Sequence, residues 1–99
     1  MNIFKLSTTP AGKASVDRLE KCVTKIKATY THDALSENDI DTLMGVETKC
    51  SAYITLIQGS SADTQEKLTK FDEILLDVGH FCDVVEIELK KAQIEGSVA

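Results

Sequence analysis

An all-α fold, three antiparallel helices with a long C-terminal third helix, is what this sequence predicts, and three observations carry the prediction. Apolar residues recur at alternating steps of three and four along three separate stretches, the period of one helical face. Helix-start chemistry stands at Thr9-Pro10 and again at Ser36. Strand-like alternation is confined to the short tail at Ile3 to Leu6.

The first helix is expected over residues 10–30, after a tail of residues 1–9. Thr9 reads as its N-cap, with Pro10 at the first helical position, where a missing N–H costs nothing. Val16, Leu19, Val23, Ile26 and Tyr30 then mark one face. The second helix is expected over 37–58. Ser36 followed at the third helical position by Asp39 is a capping box with a shorter acid, and Leu35 with Ile40 forms a hydrophobic staple. Leu43, Val46, Cys50, Tyr53 and Ile57 make its stripe, broadened by Ile40, Met44 and Ile54, which predicts contact with neighbours on two sides and a middle position. Gly59 is placed to take the left-handed conformation that closes a helix, with Ser60 or Ser61 as the next cap. The third helix is expected over 61–95. Leu68, Phe71, Leu75, Val78, Cys82, Val85, Leu89 and Ala92 hold the three-four alternation for more than three heptads, a coiled-coil-like seam.

Ninety-nine residues predict one small helical domain, and a chain of this size buries only about 60 to 65% of its unfolded surface. Neither a secretory apolar core nor a run of roughly 18 apolar residues occurs, so a soluble, cytoplasmic protein is expected. The net charge of −5 is unevenly spread. Lys5, Lys13, Arg18, Lys21, Lys25 and Lys27 outnumber Asp17, Glu20 and Asp33 before Ser36, while acids dominate after it. Such a split suits a basic helix packed on an acidic one, or association between subunits. Few aromatics and no tryptophan argue against nucleic acid as a partner.

A turn centred near Ser60 sets residues of helices two and three at equal height when their numbers sum to about 120, at 1.5 Å per residue. On that rule Val84 onward overhangs the start of helix two, with helix one too short to cover it. The overhang carries Val84, Val85, Ile87, Leu89, Ala92 and Ile94, a predicted interface for a second copy in a homo-oligomer or for a protein partner.

The adjacent "GHFC" suggests a reactive or metal site, but His80 and Cys82 are two apart and point to different sides of a helix. Asp77 and His80 lack the matching ligands of a helical di-metal site. Three widely spaced cysteines, Cys22, Cys50 and Cys82, fit neither a disulfide framework nor structural zinc. Cys50 and Cys82 are expected in the core twelve residues apart in height, and Cys22, flanking its seam, is expected to be more exposed. Gly45 and Gly79, inside helices at a cost of about 1 kcal/mol each, point to close helix approach, a bend or a binding notch. Arg18, Lys21 and Lys25 form a basic stripe at i, i+3 and i+7, solvated or able to hold a small anionic ligand between subunits.

These residues supply no nucleophile, base and orienting group together, so no catalytic, metal or cofactor site is assigned. The expectation is a non-enzymatic helical oligomer acting as a protein-interaction module: an adaptor, or an inhibitor of a larger machine of the kind phage and mobile elements provide. The alternative is an oligomer that sequesters a small anionic ligand, such as a nucleotide, between subunits.

Overall fold

The computed structural model describes residues 3–30 and 36–98, with side chains from Ile3 to Thr29 and from Ser36 to Lys91. The predicted staple at Leu35 and the seam positions Tyr30 and Ala92 therefore lie outside the described side chains. Three helices dominate: α1 (Pro10–Tyr30), α2 (Glu37–Gly59) and α3 (Gln65–Val98). Two short strands, β1 (Phe4–Lys5) and β2 (Ser61–Ala62), pair antiparallel with Phe4 opposite Ala62 and Lys5 opposite Ser61. The result is an all-α rod, 57 × 18 × 17 Å, with α2 antiparallel to both other helices and α1 parallel to α3.

A 3₁₀ turn over Leu6–Thr8 leads into α1. Thr9 caps the helix from both sides: its hydroxyl donates to the Leu6 carbonyl at 2.8 Å and accepts from the Gly12 N–H at 3.0 Å. Leu6 is 1% exposed and its N–H reaches the Ser60 carbonyl at 3.0 Å, so the tail closes the foot of the bundle. Gly12 makes this approach possible. A Cβ there would fall on the Leu6 carbonyl oxygen and lie 2.8 Å from its carbon.

Ser36 caps α2, accepting from the Asp39 N–H at 3.2 Å. The other end differs from expectation. Gly59 is the last helical residue rather than a left-handed cap, and among the described residues no glycine has positive φ. Ser60 is extended, its N–H returning to the Ile57 carbonyl, and its hydroxyl donates to the Leu56 carbonyl at 2.5 Å. The chain therefore runs on through β2 instead of reversing at once, and α3 begins four residues later than Ser61, at Gln65. Its first turn is capped by Thr64, which accepts from the Lys67 and Leu68 N–H groups.

This extended connection resets the helix register. Ser60 to Ala62 run extended, at about 3.3 Å per residue, and with the bend at Asp63 and Thr64 carry the chain past the foot of α2 before α3 starts. Lys49 stacks over the Phe81 ring at 5.4 Å and Tyr53 meets the same ring at 5.0 Å between centroids. Those pairs sum to 130 and 134 rather than 120. The start of α2 is then level with about residue 95 of α3, not with Asp83, and the overhang expected from Val84 does not begin there.

The core is one cluster: Leu6, Leu19, Cys22, Ile26, Cys50, Ile57, Ala62, Phe71, Val78, Cys82, Val85 and Leu89. Helix α1 supplies the middle layer, touching both other helices broadly, whereas α2 meets α3 sparingly. The middle position expected for α2 is thus taken by α1. Part of the broad α2 stripe stays in water, Met44 being 53% exposed.

Candidate interaction surface

His80 and Cys82 diverge: Cys82 is fully buried and His80 is exposed. The register shift instead brings the three cysteines to one level of the core. Cys22, Cys50 and Cys82 are close enough for each thiol to influence the ionisation of its neighbours. Cys22 is 1% exposed, correcting the expectation that it would be the accessible thiol, and Cys50 and Cys82 are level rather than twelve residues apart. Burial pushes the Cys82 thiol up to about 12, helped by Cys22, and the Cys50 thiol up to about 11. Burial also raises Cys22, helped by the Glu86 carboxylate. All three are free, and such thiols are poor nucleophiles. Among the described residues, no group of three His, Cys, Asp or Glu side chains is placed to hold a metal ion.

The basic stripe of α1 is divided by its neighbours. Arg18 faces α3, donating from Nε to Glu86 Oε1 at 2.9 Å and from Nη2 to Glu86 Oε2 at 2.8 Å and Asp83 Oδ1 at 2.5 Å. These two-point bonds hold the Glu86 carboxyl below the usual range. They also raise the pKa of Arg18 well above its ordinary value. The basic first half of the chain thus packs on the acidic second half. Lys25 borders an open depression of about 470 Å³ lined also by Asp83, Glu86, Ile87 and Lys90, a mixture of both signs. Lys21 is exposed on α1. Arg18 is already neutralised, so the three cations do not form one anion cradle.

Of the six residues predicted at a partner interface, Val85 and Leu89 are 5% and 4% exposed, buried in the core of the same chain. The longer reach of α1 and α2 along α3 covers them, which corrects the expectation that they need another chain. Val84 and Ile87 remain exposed, at 48% and 55%, while Ala92 and Ile94 lie outside the described side chains. Leu76, which lies off the core seam because Leu75 and Val78 take the core positions, is 76% exposed. Leu76, Val84 and Ile87 share the side of α3 turned away from Val78, Val85 and Leu89, at 100° per residue. A second three-four phase in the sequence, running through Leu76, His80, Asp83 and Ile87, is the signal that locates this strip.

Gly79, beside that strip, and Gly45 on α2 have nothing within 4 Å of where a Cβ would stand, so neither marks a close helix contact. Among the described residues, no helix is long and apolar enough to cross a membrane. No protein-family model, curated protein or solved structure matches this chain.

Proposed function

We propose that this chain acts by binding, as a non-enzymatic protein-interaction module whose working surface is the outer strip of α3 around Leu76, Val84 and Ile87. The observation that carries the reading is the exposure of three large apolar side chains on one helical face, turned away from the core that the described residues form. Each would contribute roughly 1.5 to 3 kcal/mol if fully buried, and grouped apolar exposure of this kind marks interaction surfaces. Three free, buried cysteines suit a reducing compartment, the cytoplasm. Sequestration of a small anionic ligand by Arg18, Lys21 and Lys25 draws less support, because Arg18 already serves Asp83 and Glu86.

The test is affinity capture of the full chain under native conditions, wild type against Leu76→Asp and Ile87→Asp, with circular dichroism confirming unchanged helicity. Loss of bound protein, including a second copy of the chain, from the strip variants is the expected result. Retention of every bound protein by both variants overturns the reading.

A further inference from the structure

We infer that the partner of the α3 strip is a second copy of this chain, its α3 laid antiparallel along the first about a two-fold axis passing between His80 and Asp83. The inference rests on the reading of that strip as a binding surface. It comes from the order of side chains along the strip. Glu73, Leu76, His80, Asp83, Ile87 and Lys90 follow one another at steps of three, four, three, four and three, the seam of a coiled coil. That spacing reads the same in both directions, and the chemistry is complementary on reversal. Reversal about the midpoint sets Glu73 against Lys90 of the other copy, His80 against Asp83, and Leu76 against Ile87, each pair occurring twice.

The polar positions of the seam are open to these contacts. Glu73, His80, Asp83 and Lys90 are all exposed. Asp83 keeps a side-chain exposure of 63% even while one of its oxygens binds Arg18. That bond also anchors α3 to α1, so the seam is presented on a fixed helix. Val84 flanks the seam and widens the apolar contact. Gly79, with open space where a Cβ would stand, lets the second helix approach closely.

Charge selects the direction. A parallel arrangement in register would set Glu73 against Glu73, Asp83 against Asp83 and Lys90 against Lys90, all repulsive. The antiparallel arrangement replaces each repulsion with an opposite-charge or hydrogen-bonded pair. The apolar contact is small, two Leu76–Ile87 layers with flanking valines, so dissociation in the micromolar range is expected.

The test is sedimentation equilibrium of the full chain with a charge-exchange series, helicity being followed by circular dichroism. Wild type is expected at twice its 10.8 kDa mass at roughly 100 µM. Glu73→Lys alone and Lys90→Glu alone should each raise the dimer Kd by about tenfold or more, and the double variant should restore it to within about threefold. Ile87→Asp should leave only monomer. Should Ile87→Asp unfold the chain, the charge series on exposed positions decides alone. A wild type that stays monomeric at this concentration overturns the inference, as does a dimer indifferent to the single exchanges or a double variant no tighter than either single. The broader reading fails separately: it falls only if the strip variants keep every captured protein, whereas a monomer that loses a captured protein in those variants overturns self-pairing alone.

Discussion

Replacing Gly12 by alanine separates the physics of the bundle foot from ordinary helix propensity. Propensity alone favours the change by up to about 1 kcal/mol, since glycine is a poor helix residue. The geometry reverses the sign. The new Cβ would fall on the Leu6 carbonyl oxygen and 2.9 Å from the Thr9 hydroxyl, so the 3₁₀ turn must move. Moving it strains two hydrogen bonds, Thr9 Oγ1 to the Leu6 carbonyl and Leu6 N–H to the Ser60 carbonyl, at about 1 kcal/mol each. It also draws Leu6 partly out of the core, a loss of a further ~1 to 2 kcal/mol. Set against the gain in propensity, Gly12→Ala should destabilise by about 2 to 3 kcal/mol. Gly45→Ala is the matched control. Nothing lies within 4 Å of its Cβ position, so it should stabilise by up to about 1 kcal/mol. Urea denaturation measures both, with the midpoint moving in opposite directions at unchanged slope. A Gly12→Ala protein as stable as Gly45→Ala would refute the close approach of Leu6.

The Arg18 clamp makes stability depend on pH. Its contribution through Glu86, whose folded pKa is depressed, is present above the unfolded carboxylate value of about 4.3 and is lost as pH falls through the folded value. Both side chains are more than a third exposed, so screening limits the effect. Arg18→Gln should therefore cost about 1 kcal/mol at neutral pH and nearly nothing once pH has fallen below the depressed Glu86 value, and a difference that stays constant as pH falls would contradict the assignment. The three thiols should resist alkylation in the folded protein at about pH 8, where free cysteine reacts readily, and react fully in denaturant; rapid native labelling of any of them would contradict its burial. Ser36→Ala should lower stability by about 1 kcal/mol in the same urea assay through loss of the bond from the Asp39 N–H, and a change near zero would show that the cap is idle.

The helices were legible because each is written locally: a cap, a stripe at the helical period and a stop. The Ser36 cap and the buried seam of α3 from Phe71 to Leu89 follow from those rules directly. Register was not legible, and one residue explains why. Gly59 fits a left-handed stop by composition, yet the chain passes it in helical conformation and continues extended because β2 finds a partner in β1, more than fifty residues away in sequence. That nonlocal pairing slides α3 along α2. The slide brings Cys22, Cys50 and Cys82 together and buries Val85 and Leu89, all of which a sharp turn at Ser60 would have forbidden. The role of Gly12 is not written locally either, since it depends on the Leu6 carbonyl folding back over the first turn. The candidate site was half legible: Val84 and Ile87 stand where a partner can reach them, while Leu76 belongs to a phase hidden beneath the stronger core seam.

Spin labels on an exposed residue far from the proposed axis report the pairing of α3 with itself most directly. Glu66 is exposed in the first turn of α3, and the buried native thiols leave a Glu66→Cys variant with one reactive site. Glu66 lies about 15 residues before the axis, so an antiparallel dimer should give a distance near 46 Å between the two labels by pulsed dipolar spectroscopy, at 1.5 Å per residue. A distance of about 10 to 20 Å, as parallel helices in register would give, or no dipolar coupling at all, would contradict it.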